Sequence, residues 1–122
     1  MIILDTNIFI YLANGMLPAE ILADEYIALA SVTRIEALGF GQLSVGEAAQ
    51  LKLFFGLAQQ FELTEAVIHR AIEVRQAKRM SLGDAIIAAT ALAYDMQLWT
   101  SNVKDFDWID GLKLYNPLDS AR

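Results

Sequence analysis

The sequence predicts an α/β domain built on a parallel sheet with helices covering both faces. Three observations predict it. Ile2-Ile3-Leu4 is a short unbroken apolar run, as a strand buried on both sides would be, Tyr26-Ile27-Ala28-Leu29-Ala30 is a second buried strand candidate, and Gln97-Leu98-Trp99-Thr100 reads as a further strand. Helix-like stretches separate these runs at the spacing of β-α-β units. A polar residue closes each run before the next helix begins, as at Asp5, Ser31 and Ser101. In open parallel sheets, ligands sit outside those strand ends.

In chain order, Ile2–Leu4 is the first strand and Asp5 its polar end. Asp5 or Thr6 would serve equally as the cap of the helix that follows, Ile8 to Ala13, which Asn14-Gly15 stops. Pro18 suits the first turn of a second short helix through about Ala23. After the Tyr26–Ala30 strand, Ser31-Val32-Thr33-Arg34-Ile35-Glu36 opens a helix that Gly39 and Gly41 interrupt. Ser44 starts the next helix, to about Gln59, with Ala48, Leu51, Phe55 and Ala58 as its core stripe. Phe54 and Leu57 widen the stripe and mark this helix as the expected partner-binding face. Phe61-Glu62-Leu63 is a short strand towards an edge. Thr64 caps a helix from Glu65 to about Arg79, with Val67, Ile68, Ala71 and Ile72 inward. Ser81-Leu82-Gly83-Asp84 opens the most apolar helix, Asp84 to Tyr94, which belongs in the middle of the domain. The Gln97–Thr100 strand leads into a polar loop, Ser101 to Asp105. Leu112–Tyr115 is a final edge strand, stopped by Asn116-Pro117.

The chain reads as one domain, 1–122, long enough for one core and too short for two. Apolar residues make up 56%, with a mean hydropathy of +0.39, and the surplus is expected to form an interface. No apolar run reaches the ~18 residues that span a bilayer, so no membrane role is expected. The N-terminus lacks a basic region and carries Asp5 inside its apolar segment, which does not read as a signal peptide. With no cysteine, disulfides, Cys-zinc sites and thiol catalysis are excluded, and a cytoplasmic location is expected. The single histidine, His69, excludes His-pair metal motifs and speaks against a Ser-His-Asp triad. The net charge of −6 disfavours non-specific DNA binding, which rests on neutralising phosphates. If the chain handles nucleic acid, bound cations or a partner must supply part of the positive charge.

Carboxylate chemistry remains. Asp5, Glu36, Asp84, Asn102 and Asp105 each follow a strand or open a helix, and right-handed connections return such junctions to one sheet edge. Converging carboxylates repel one another and call for a hard divalent cation, magnesium or manganese rather than zinc. Each residue also has a purely structural reading. Thr33-x-x-Glu36 and Ser81-x-x-Asp84 fit capping boxes, and Asn102 or Asp105 could be a turn residue. Arg75, Lys78 and Arg79 suit a helix C-terminus or, with Lys104, phosphate contacts.

Four segments occur in order: Leu4-Asp5-Thr6-Asn7, Ser31 to Glu36, Gly83-Asp84-Ala85-Ile86-Ile87-Ala88-Ala89, and Thr100-Ser101-Asn102-Val103-Lys104-Asp105-Phe106. Together they resemble the motifs of PIN-domain ribonucleases, specifically the VapC-type toxins of bacterial toxin–antitoxin pairs, from residue 1 to about 117. The resemblance implies a three-layer α/β/α domain with a parallel sheet in the order 3-2-1-4-5. It further implies a homodimer inhibited by a cognate VapB-type antitoxin. By position, Asp5, Glu36 and Asp84 match the metal-holding acids. Asn102 falls where many relatives carry a fourth acid, leaving that role to Asn102 or Asp105. Thr6 and Ser101 match polar positions that support the site. The implied reaction is hydrolysis of RNA phosphodiester bonds with Mg²⁺ (or Mn²⁺), leaving a 5′-phosphate.

Three other readings compete. Haloacid-dehalogenase-type phosphotransferases carry a second acid two residues after the strand-tip Asp, where this chain has Asn7. A phosphoacceptor receiver domain wants an Asp ending its third strand, where Thr64 stands. A catalytically silent PIN fold that binds RNA or a partner would have no use for a repulsive carboxylate cluster.

Overall fold

Strands apolar on both faces require a helical layer on each side, and the computed structural model, which describes residues 1–120, has this arrangement. Five parallel strands, β1 (Ile2–Leu4), β2 (Ile27–Ala30), β3 (Gln59–Phe61), β4 (Gln97–Trp99) and β5 (Leu114–Tyr115), lie in the order β3-β2-β1-β4-β5. The expected sheet order is borne out. The last two residues of the expected 1–122 domain lie outside the described residues.

Successive strand residues point to opposite faces, which divides the core in two. Ile3, Ala28, Ala30 and Leu98 face α4 (Glu65–Ala77) and α5 (Leu82–Ala93). Ile2, Leu4, Ile27, Leu29 and Trp99 face α1 (Thr6–Ala13) and α3 (Val45–Leu57). Phe9 of α1 meets Phe55 of α3 edge to face at 4.9 Å between ring centroids. α2 (Ser31–Leu38) packs against α1, α3 and α5, so one short helix touches both layers. α5 is buried from Ala85 to Ala91, as its composition predicts. Among the described residues, no helix is long and apolar enough to cross a membrane.

Several boundaries differ from expectation. The third strand is Gln59–Phe61, not Phe61–Leu63: α3 stops at Leu57, and Ala28 to Ala30 pair with Gln59 to Phe61. An edge strand has solvent on one side, so two glutamines are tolerated there. On α4 the inward stripe is Val67, Ala71 and Val74, while Ile72 is exposed, because positions four and three apart share a helix face. α4 ends at Ala77, and Lys78 is already extended. Pro18 precedes a 3₁₀ turn, Ala19–Leu22, instead of opening an α-helix. The expected loop after β4 contains a helical turn, α6 (Val103–Phe106), anchored by the buried Phe106. Pro117 begins one more turn, α7 (Pro117–Ser120), as a residue with no N–H to satisfy.

Candidate active site

The site is built where β1 and β4 end side by side. Asp5 follows β1, and its backbone N–H donates to the Trp99 carbonyl at 3.0 Å. The residue is only 4% exposed, and both carboxylate oxygens are engaged. Oδ1 accepts from the Thr6 backbone N–H, and Oδ2 accepts from the Thr100 hydroxyl, both at 2.8 Å. The capping reading of Asp5 therefore holds together with its placement in the acidic cluster. Burial pushes the Asp5 pKa up to about 6, and the negative charges of Asp84 and Glu36 push the same way. The Thr100 and Thr6 hydrogen bonds oppose the shift without cancelling it.

Glu36 reaches the cluster from α2. The Thr6 hydroxyl donates to Glu36 Oε1 at 2.7 Å and lies 3.0 Å from the Thr33 hydroxyl. A hydroxyl has one proton, so Thr33 donates to Thr6 while Thr6 donates to Glu36. The capping box read at Thr33-x-x-Glu36 does not form: Thr33 lies inside α2, fully buried, and Ala30 occupies the N-cap position. On its other side the Glu36 carboxylate lies against Gly83. A Cβ there would stand 2.9 Å from Glu36 Cδ and collide with Oε2. Gly83 thus leaves room for the Glu36 carboxylate where it now lies, and a side chain there would push that carboxylate aside.

Asp84 stands in the first turn of α5, whose N-cap Ser81 accepts the Asp84 backbone N–H at 3.1 Å. Here the Ser81 half of the expected capping box forms. Burial raises the Asp84 pKa, the Ser81 hydroxyl pulls against that, and the charges of Asp105 and Glu36 raise it further. The electrostatics therefore link Asp5 to Asp84 and Glu36, and Asp84 to Asp105. Asn102 and Asp105 are both exposed. Asp105 lines a cavity with Asp84, whereas Asn102 opens onto the neighbouring depression with Ser101 and Asn116. The Asn102 backbone N–H donates to the Thr100 hydroxyl at 3.0 Å. Thr100, fully buried, thus ties the loop after β4 to Asp5, and Ser101 makes no such bond.

No lysine or arginine forms an ion pair with Asp5, Glu36, Asp84 or Asp105 among the described residues. Nor, among the described residues, is any group of three Asp, Glu or His side chains gathered closely enough to hold a metal ion as it stands. Burial first, and the mutual repulsion of carboxylates with no counter-charge second, make Asp5 and Asp84 resist ionisation, while Glu36 and Asp5 are held by the hydroxyls of Thr6 and Thr100. An all-oxygen donor set short of positive charge fits a hard divalent cation chemically.

An α/β/α sandwich of this strand order, with acids clustered at the carboxyl ends of its central strands, defines a class of domain, and comparison identifies it. The chain matches the PIN domain over residues 2–112 and belongs to that family. No curated protein sequence shows significant similarity to it. Among solved structures, VapBC2 from Rickettsia felis bound to a DNA fragment from their promoter is 25% identical, with a TM-score of 0.80. That match covers 95% of this chain and 98% of the other. A toxin–antitoxin complex from Klebsiella pneumoniae is 27% identical, covering 96% and 98%, with a TM-score of 0.79. VapBC-1 from nontypeable Haemophilus influenzae shares the fold at 24% identity, covering 95% and 98%, with a TM-score of 0.77. The resemblance drawn from the four motifs is borne out.

Proposed function

We propose that the chain is a metal-dependent endoribonuclease, the toxin of a VapBC-type toxin–antitoxin pair. The observation that carries this reading is the acidic cluster itself: Thr6 bridges Asp5 and Glu36, Glu36 lies against Gly83 beside Asp84, and no basic side chain among the described residues pairs with them. PIN-domain membership and the similar toxin–antitoxin complexes support it. Asp5, Glu36, Asp84 and Asp105 would hold Mg²⁺ or Mn²⁺. Asp105 is preferred over Asn102 as the fourth group because it lines a cavity together with Asp84, whereas Asn102 lines the neighbouring depression that Asp84 does not reach. When bound, the ion supplies Lewis acidity at the scissile phosphate and activates water. The chain's own residues do the positioning. Thr100 and the Thr6 N–H fix the Asp5 carboxylate, and the Thr33–Thr6 hydroxyl pair steers Glu36. With His69 out on α4, paired to Glu65 at 3.3 Å, no imidazole takes part.

The antitoxin would cover apolar surface beside the site. A cavity of about 260 Å³ is lined by Ile10, Ala13, Phe40, Leu43 and Leu51, with Glu36 at its margin. Phe40, Leu53 and Leu57 are exposed, the last two on the helix expected to bind a partner. A homodimer would draw on the same apolar surplus. The test is incubation of purified protein with a mixed RNA pool in Mg²⁺ or Mn²⁺ and in EDTA. Metal-dependent cleavage leaving 5′-phosphates is expected. Its absence in every metal would favour the silent, partner-binding PIN fold.

A further inference from the structure

The cations of this acidic chain are not spread evenly. Three of its nine Lys and Arg residues, Lys78, Arg79 and Lys104, line one cavity of about 230 Å³ together with Asp84, Asp105 and Trp108. They come from two separate places, the turn between α4 and α5 and the α6 turn. None of the three forms an ion pair among the described residues. Arg75, one α4 turn earlier, does not line the cavity. Were Lys78 only a counter-charge for the α4 C-terminus, nothing would tie it to another element. Instead its ammonium lies 5.4 Å from the centroid of the Trp108 ring. The indole is itself fixed by its Nε1–H, which donates to the Asp105 carbonyl at 2.9 Å. The cation is held by the same short segment that carries Asp105.

We propose that Lys78, Arg79 and Lys104, with Lys78 pinned on Trp108, form a subsite for a backbone phosphate of single-stranded RNA next to the scissile linkage. The proposal rests on the nuclease reading above and adds where the strand runs. Lys104 and Asp105 also line the depression shared with Asn102 and Asn116, so the three cations mark a path from that depression past Asp84. A chain of net charge −6 repels a polyanion at long range, and a local cationic ledge is what lets a strand approach such a site. Three cations match one or two backbone phosphates in charge.

The test compares wild type with the triple variant Lys78→Gln, Arg79→Gln, Lys104→Gln. All three side chains are exposed, so the fold is retained. Binding of a fluorescent oligouridylate is read by anisotropy in EDTA over a range of salt, where cleavage does not interfere. The triple variant should bind about tenfold more weakly, and the slope of log affinity against log salt should fall by ~0.7 for each phosphate no longer neutralised. In Mn²⁺ its KM should rise with kcat little changed. Trp108→Leu should weaken binding about threefold, the scale of an exposed cation–π interaction. Equal affinity and salt slope in wild type and triple variant would overturn the subsite, as would a loss only of polyglutamate binding, which would assign the cations to an acidic peptide. Mn²⁺ titration of the triple variant separates the two readings. Retained Mn²⁺ binding and cleavage with unchanged RNA affinity removes the subsite alone, and absence of cleavage in the wild type removes the nuclease.

Discussion

Replacing Asp5 with asparagine should make the metal-free protein more stable while abolishing its activity. In the folded chain, burial and the charges of Asp84 and Glu36 raise the Asp5 pKa from the ordinary 3.8 to about 6. The folded state therefore holds its proton more tightly than the unfolded state, and stability declines as pH rises from about 4 to about 6. Each pH unit across that interval is worth about 1.4 kcal/mol, so the ionised carboxylate costs on the order of 3 kcal/mol at neutral pH. Asparagine has the same shape. Its Oδ1 can still accept from the Thr6 N–H, and its amide can donate to the Thr100 hydroxyl, which has a second lone pair beyond that used by Asn102. Weaker neutral hydrogen bonds offset part of the gain, leaving about 1–2 kcal/mol. For a domain of this size that is roughly 5 °C in Tm. Calorimetric melts in EDTA at pH 7.5 and pH 4 would show the shift at the higher pH and little at the lower. A variant less stable than wild type at pH 7.5, or equally shifted at both pH values, would refute the reasoning.

Other consequences follow from neighbouring contacts. Gly83→Ala should lower RNA cleavage at least about tenfold, since its Cβ displaces Glu36, while helix propensity keeps Tm from falling by more than about 3 °C. Thr100→Val removes a buried hydroxyl that serves Asp5 and Asn102, and should cost about 1–3 kcal/mol in urea unfolding. It also removes the hydrogen bond that lowers the Asp5 pKa, so the acid limb of the cleavage profile should move to higher pH. Asp105→Asn should reduce kcat less than Asp84→Asn, because Asp105 is exposed while Asp84 is half-buried and feels the charges of both Asp105 and Glu36. The opposite ranking in steady-state kinetics would make Asp105 the principal ligand.

Much of this site is legible in the sequence because its acids stand at element boundaries. The polarity change from Leu4 to Asp5, and Asp84 behind a helix-capping Ser81, are local signals that survive folding. The supporting hydroxyls carry no such signal. Thr33 and Thr100 resemble ordinary helix-start and strand residues, and their partners lie 27 and 95 positions away, at Thr6 and Asp5. The motifs alone therefore favour Ser101 where Thr100 does the holding. Glu36 is placed by the Thr6 hydroxyl and its room beside Gly83, and not by the cap suggested by Thr33. The third strand begins two residues earlier than its apolar residues suggest, because an edge position relaxes the requirement that marks β1, β2 and β4. Ile72 misleads for a related reason: its helix has one covered face, and an isoleucine outside it looks the same in sequence.

The central claim is that the acids at this sheet edge form a divalent-metal site, and calorimetric titration with Mn²⁺ tests it most directly. At pH 7.5 the wild type should bind Mn²⁺, and Asp84→Asn should bind far more weakly. At pH 5 the wild type should also weaken, because the proton on Asp5 competes with the ion. No binding by the wild type at pH 7.5, or equal binding by Asp84→Asn, would contradict the account.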